Sequence, residues 1–346
     1  MKESLGVALI GTGVIAPYHL KAYQTIERTR VIAVCDADPA KAQAFAQEHR
    51  LSRHDRLPNA LADPNIDIID IAVPSGLHAD IGIAAARAGK HVMVEKPIDI
   101  TLAKADALIA ACRENGVTLG VISQNRFLPS VQKVYRAVES GELGTLLQGD
   151  AAIKWYRSQA YYNSGAWRGT WELDGGGAFM NQGIHFIDLL LSVMGPVKWL
   201  QARCKTAAHR IAVEDIGMVL VEFTSGAYGV IQASTAFYPG LPARLEIHGT
   251  RGSARIEGER LAFLQIEGQP PQKDSEVAVG GASDPKAIDA TLFVHQYRDF
   301  ISAIDEGRDP VVSGTVARRP LQLILAIYES ARCGKAIEME KFAPAV

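Results

Sequence analysis

Two stretches carry side chains whose type and placing invite chemistry. In "HVMVEKPIDIT", residues 91–101, Lys96 closes an apolar run and precedes Pro97. Burial and positive neighbours lower the pKa of such a lysine, and its ammonium can polarise a bound oxygen. A surface lysine is the plain alternative for Lys96 taken alone. In "GGGAFMNQGIHFIDLLLSVMG", residues 175–195, the residues Asn181, His185, Asp188 and Ser192 follow at steps of four, three and four. On a helix they share one face. Met180, Ile184, Ile187, Leu191 and Met194 run beside them, and the rest is nearly all apolar. A helix of that kind is expected to be buried, and a buried polar group needs a partner or a purpose. Of these groups, the imidazole is the one that trades a proton near neutral pH.

A third stretch concerns a bound phosphate. "LIGTGVIAPYH" sets Gly11 and Gly13 after an apolar run and before a helical one, with Val14 and Ile15 completing the turn. Gly11 allows the tight turn, and Gly13 lets a pyrophosphate approach main-chain N–H groups at a helix N-terminus. Ala16 stands where a third glycine is usual. Asp36, ending "VIAVCD", is placed to accept hydrogen bonds from an adenosine ribose diol. A carboxylate there repels a 2′-phosphate, so NAD is expected as cofactor, with NADP as the alternative. "VPSGLH" ends another apolar run, and Pro74, Ser75 and His78 are expected along the cofactor edge. For Ser75, capping a helix is an equal reading.

The elements that must position these groups follow from pattern. "VALIG", "VIAVCD", "IDIIDIAVP", "HVMVEK" and "TLGVIS" are continuous, β-branched runs, as strands buried on both faces are. Helical stretches alternate with them, two of which stop at Gly89 and Gly116 as C-terminal caps. Strand and helix in alternation predict an α/β, doubly wound parallel sheet of the Rossmann type over residues 1–124. From 125 to 346 the rhythm changes to hairpins, "GMVLVEF-TSG-AYGVIQAST" and "ARLEIHG-TRG-SARIEG", with helices. This predicts an α+β domain on a large, open, mostly antiparallel sheet. The stretch "EGQPPQKDSEVAVGGASDP", residues 267–285, reads as a long loop.

The 346 residues have a net charge of −2, are 48% hydrophobic and 21% charged. That balance argues against a nucleic-acid partner. No apolar run has the length of a membrane span, and "MKESLGVALIG" enters a strand at once, so no signal peptide is expected. The four cysteines lie far apart, as reduced thiols rather than a disulfide frame or zinc site would. A cytoplasmic protein with no metal motif is expected.

"GTGVIAPYH", "VPSGLHADI", "AGKHVMVEKPI", "QNRFLPSV", "GELG", "GGGAFMNQGIHFIDLL" and "AIYESARCGKAIEM" occur in this order over the whole chain. In this the sequence resembles the Gfo/Idh/MocA family of oxidoreductases. The resemblance implies hydride transfer between a nicotinamide cofactor and a carbon of a sugar, inositol or related polyol. It implies that Lys96 touches both substrate and cofactor, with Glu95 and Asn125 on the cofactor side and a Lys96–Pro97 bond that is often cis. His185 matches the family histidine and is assigned as general base for the substrate hydroxyl. The family's acidic residue four positions earlier is here Asn181, which positions a hydroxyl but cannot take its proton. Asp188 either orients His185 or forms an ion pair elsewhere. The loop "KWYRSQAYYNSGAWRGTWELDGGG" resembles that of members acting on nucleotide-linked sugar uronates. It offers Tyr156 and Trp167 as faces for a sugar ring and Arg157 and Arg168 as forks for an anion, with domain packing as the alternative. Two other functions compete: a glycosidase using NAD in transient oxidation, and a non-catalytic sensor. A homodimer or homotetramer through the second sheet is expected, because its outer face needs cover.

Overall fold

The computed structural model describes residues 2–274 and 290–342. The chain divides into two compact units, Met1–Gln124 with Asp289–Arg318, and Asn125–Ile288 with Arg319–Val346.

In the first unit six strands form one parallel sheet: β1 (Leu5–Ile10), β2 (Thr29–Cys35), β3 (Ser52–Arg53), β4 (Ile68–Ile71), β5 (His91–Val94) and β6 (Leu119–Val121). Their order is β3-β2-β1-β4-β5-β6, so the winding reverses between β1 and β4. Val7, Leu9, Ile69, Ile71, Val92 and Val94 have no exposed surface. Burial on both faces is why these strands read as unbroken apolar runs. The helices are α1 (Ala16–Gln24), α2 (Pro39–His49), α3 (Leu57–Ala62), α4 (His78–Arg87) and α5 (Leu102–Glu114). Gly89 and Gly116 follow α4 and α5 at φ +73° and +65°, the left-handed positions expected of them. The first unit is thus the Rossmann sheet expected from the alternation.

The second unit holds α6 (Pro129–Glu139), β7 (Leu146–Lys154), α7 (Gln159–Asn163) and α8 (Ile184–Met194). The strands β8 (Val197–Lys205), β9 (Ile216–Phe223), β10 (Tyr228–Ser234), β11 (Arg244–Gly249), β12 (Gly252–Glu257) and β13 (Arg260–Ile266) follow. With β14 (Ile337–Glu338) they make an eight-stranded sheet of order β13-β12-β11-β7-β10-β9-β8-β14. Only the β7–β10 pairing is parallel among the described ladders of this sheet. Along β9, Val219, Val221 and Phe223 are buried while Met218 and Leu220 face outward at 55% and 47% exposure. Gly149 on β7 lets Met194 and Leu190 of α8 lie close against the strand. Within the expected loop, Gln272 exchanges main-chain hydrogen bonds of 2.8 and 2.9 Å with Leu264 of β13, and residues 275–285 lie outside the described residues.

One expectation is corrected. The sequence assigns everything after residue 124 to the second part, but α9 (Ala290–Glu306) belongs to the first unit. Tyr297 stacks on Tyr23 of α1 at 4.2 Å, and a Cβ on Gly120 of β6 would crowd Phe300. Gln296 accepts from Ser123 N at 3.0 Å and donates to Val121 O at 2.7 Å, closing the end of β6. The spacing of α9 reveals an apolar face but not which core that face covers. The next helix, α10 (Gly314–Cys333), starts among residues of the first unit and ends in the second. All four cysteines are free thiols. Among the described residues no helix is long and apolar enough to cross a membrane.

Candidate active site

The first unit presents a turn built for a dinucleotide. Gly11 has φ +97°, and a Cβ there would overlap the Ala72 carbonyl, so only glycine fits between β1 and β4. A Cβ on Gly13 would meet nothing within 4 Å, and Val14 is 54% exposed. No side chain caps the first turn of α1 after Ile15. An open, uncapped helix N-terminus of this kind suits a pyrophosphate. At the end of β2, Asp36 Oδ2 accepts from Thr12 N at 2.7 Å and from Thr12 Oγ1 at 2.8 Å, while Oδ1 accepts from Asp38 N at 2.8 Å. The carboxylate therefore orders the glycine turn. These residues fit NAD. Replacing Asp36 by alanine should weaken NADH binding about tenfold or more, the scale of a lost charged hydrogen bond, and narrow any preference over NADPH. Fluorescence titration with both cofactors checks this. Unchanged affinities would remove Asp36 from the cofactor site.

At the carboxyl ends of β4 and β5 the expected residues divide. His78 is buried, with Nδ1 2.7 Å from Pro97 O and Nε2 2.9 Å from Val73 O. Both ring nitrogens face main-chain carbonyls, and a neutral ring donates from one nitrogen only, so His78 hydrogen-bonds one of the two strand ends. Burial, the leading cause, holds its pKa below the usual imidazole value. Ser75 is buried next to Pro74 in a 3₁₀ turn, and α4 is capped from elsewhere: Asp99 Oδ2 accepts from Ala79 N at 3.1 Å. Lys96 is half-buried, its bond to Pro97 is cis, and its N–H donates to Glu95 Oε2 at 3.0 Å.

The second unit carries the polar line. Its entry is not α-helical: Ala178–Gly183 form a π-helical turn that passes into α8 at Ile184. Such wider turns are rare and gather at functional sites. Two buried carboxylates hold this entry. Asp174 Oδ1 accepts from Asn181 Nδ2 at 2.7 Å, and its Oδ2 accepts from Gly169 N at 2.8 Å. Glu214 accepts from Gly177 N and Phe179 N at 2.9 Å each, and from Tyr328 Oη at 3.0 Å. Gly177 must be glycine, since a Cβ would overlap the Glu214 carbonyl. Four residues beyond Asn181, His185 is half-buried. Asp188 receives both Nε and Nη2 of Arg126 at 2.6 Å, an ion pair as one of its two expected roles requires. Asn125, half-buried, begins this unit in the turn that bears Arg126.

Burial pushes Glu214 up to about 7 against its three donors. Because this folded value lies above the unfolded one of 4.5, the linked stability is present in full below pH 4.5 and is lost as pH rises through about 7. At 1.36 kcal/mol per unit the window holds roughly 3 kcal/mol, and Glu214→Gln should flatten that slope in denaturant titrations between these pH values. An unchanged slope would refute the assignment.

The loop before the helix folds about Tyr161. The Arg168 guanidinium lies 4.3 Å from its ring centre and 4.4 Å from that of Trp167, and Arg168 Nη1 donates to Tyr161 Oη at 2.7 Å. Gln182, beside Asn181, donates to the same hydroxyl at 3.3 Å. Arg157 follows the packing alternative: it is 5% exposed, stacks on Trp155 and Tyr161, and donates to Tyr156 O at 2.8 Å. Its carbonyl is fixed by His209, whose other nitrogen bonds Asp215 at 2.9 Å. Burial opposes the Asp215 charge, but the N–H groups of Ala207, Ala208 and His209 hold its pKa below the usual carboxylate value. Tyr156 packs edge-on to Tyr238 at 5.3 Å. Sequence reasoning missed Tyr161, Asp174, Gln182 and Glu214. The "LDGGG" and "VEDIG" runs, acids set among glycines and apolar residues, were the available signal. Among the described residues no three His, Cys, Asp or Glu side chains gather as a metal site requires.

Known proteins share this design. Residues 5–123 match the model of the oxidoreductase family with NAD-binding Rossmann fold, and residues 131–255 that of the GFO/IDH/MocA C-terminal domain. The chain is 30% identical to a D-apiose dehydrogenase of Paraburkholderia graminis over 98% of this chain and 92% of that protein. It is 26% identical to the NAD⁺-dependent scyllo-inositol 2-dehydrogenase of Bacillus subtilis, covering 98% of both. Among solved structures, the WlbA dehydrogenase of Bordetella pertussis, in complex with NADH and UDP-GlcNAcA, is 33% identical with a TM-score of 0.87, covering 97% of this chain and 98% of that one. With its glycine turn and Asp36 in a parallel sheet, and its glycine-led helix on a mostly antiparallel one, the chain belongs to the Gfo/Idh/MocA family of NAD-dependent oxidoreductases.

Proposed function

We propose that the protein oxidises a CH–OH carbon of a sugar nucleotide or other acidic sugar. In this reading His185 accepts the hydroxyl proton, Lys96 holds and polarises the same oxygen, and Asn181 orients a substrate hydroxyl. NAD, when bound, supplies the hydride acceptor, and Gly11, Gly13, Val14, Ile15 and Asp36 would hold it. Asn181 is itself steadied by Asp174, so its amide is presented in one orientation. An imidazole is suited to take the proton as the C–H bond breaks.

The observation that carries the acidic substrate is the half-buried Arg168 guanidinium, stacked between Trp167 and Tyr161, with Tyr161 bonded to the residue next to Asn181. A planar, always-charged fork on aromatic faces suits a carboxylate or phosphate. The relative solved with UDP-GlcNAcA supports this reading. Relatives named for D-apiose and scyllo-inositol favour a second one, a neutral sugar or polyol. A screen of UDP-GlcNAcA, D-apiose and scyllo-inositol, followed by NADH absorbance, separates them. The acidic nucleotide should give the highest kcat/KM, and Arg168→Ala should raise its KM about tenfold or more while sparing neutral sugars. A neutral substrate in the lead, indifferent to Arg168, would sink the acidic reading. The outward Met218, Leu220 and Tyr228 of β9 and β10 support a homo-oligomer through this sheet, and the free thiols support a cytoplasmic setting.

A further inference from the structure

Beneath the first unit's strand ends lies a buried cluster of ionisable groups. His19 of α1 has no exposed surface, and neither has Asp70 of β4. His19 Nδ1 is 2.7 Å from Asp70 Oδ1, and Nε2 is 3.1 Å from Glu95 Oε1. Tyr297 of α9 donates to Asp70 Oδ2 at 2.8 Å. The rings of Phe293 and Tyr297 stand 5.2 and 5.9 Å from the imidazole, and Tyr23 stacks on Tyr297. A carboxylate only accepts, so a ring held between two of them donates from both nitrogens and carries a charge. Burial works against that charge, but Asp70 and Glu95 outweigh it and lift His19 to about 10.

One carboxylate would balance the imidazolium. The second, Glu95, has a further contact. Glu95 Oε1 meets His19 while Oε2 accepts the main-chain N–H of Lys96. His19 sits on the helix whose first turn follows Gly13 and Ile15, so one ring joins the dinucleotide turn to the strand end bearing Lys96.

We propose that His19 is a positioning residue for Lys96: clamped between Asp70 and Glu95, it fixes the Glu95 carboxylate that holds the Lys96 main chain, and so sets where the Lys96 ammonium is presented. The inference rests on the catalytic reading of Lys96 given above. A double-mutant cycle tests it, with the best substrate of the screen for turnover and NADH fluorescence for binding. His19→Gln should lower kcat about 10- to 100-fold, with KM and NADH affinity within about threefold, as an effect confined to the reacting geometry requires. In a Lys96→Ala background the same change should cost nothing further, because its action runs through the lysine. Equal losses in both backgrounds would show a merely structural role and overturn the proposal, as would full activity of His19→Gln beside an inactive Lys96→Ala. Normal turnover of Lys96→Ala would overturn the catalytic reading itself, and this inference with it. Should His19→Gln not fold, ¹⁵N NMR of the unaltered protein reads the ring directly. Protons on both nitrogens of His19 at pH 8.5 are expected, and a neutral ring overturns the proposal.

Discussion

His185→Ala should depress kcat by about 10²-fold or more and remove the limb of the pH profile along which rate rises with deprotonation. The expectation follows from chemistry available on the polar line. Asn181 cannot take a proton, and Asp188 is engaged by Arg126 through both carboxylate oxygens. Asn181→Ala should therefore keep the rising limb and change kcat and KM by about 1–2 kcal/mol, as a lost neutral hydrogen bond does. It also strips Asp174 of a donor, which places the expected loss at the upper end. Asn181→Asp is harsher here than for an isolated site, because the new carboxylate would face Asp174 across a 2.7 Å contact. It should hurt acidic substrates most. Steady-state kinetics of the three variants across pH 5–9 decide the matter. A full pH profile in His185→Ala would make the helix structural and the mechanism wrong.

Lys96→Ala should cut turnover by about 10²-fold or more while NADH binding stays within a few-fold of normal. The separation is expected because the cofactor turn is ordered by Asp36 and Thr12, and the strand end by His78 and Glu95, none of which involves the lysine side chain. Lys96→Arg should not rescue, since a planar fork cannot replace a compact ammonium at one oxygen. Stopped-flow absorbance with saturating NAD reads the hydride step. Near-normal turnover in Lys96→Ala would remove the residue from the mechanism.

The two cores were legible to different degrees. Strands such as Val7–Ile10 and Val92–Val94 are apolar throughout because both faces are covered, so pattern alone finds them. The edge strand Ser52–Arg53 is exposed, and α3 buries only Ala60, so neither leaves a hydrophobic period to read. β8 slips register between Val197 and Trp199, which breaks its alternation. The polar line from Asn181 to Ser192 was visible by spacing, yet its π-helical entry was not, since a wider turn is set by the Gly177–Glu214 approach and not by periodicity. Arg157 and Arg168 look alike in sequence and differ in burial, which depends on how Tyr161 packs between them. The groups facing the His78 ring, Val73 O and Pro97 O, were likewise illegible, because main-chain carbonyls leave no sequence signature.

The return of α9 to the first unit bears on how the chain is made. The Asp70–Tyr297 hydrogen bond joins residues 227 positions apart. At 5–20 residues per second, a ribosome that has released the last strand of the Rossmann sheet needs on the order of ten seconds more before Tyr297 emerges. Through that interval α1 waits without the helix that covers Tyr23, and the end of β6 lacks Gln296 to satisfy its main chain. Closure of the first-made half thus depends on one of the last-made helices, the kind of distant pairing that slows folding. A fragment ending at residue 124 would carry the whole dinucleotide turn and still be an unfinished core. Only a fusion restoring residues 290–318 would give an isolated cofactor domain its missing wall.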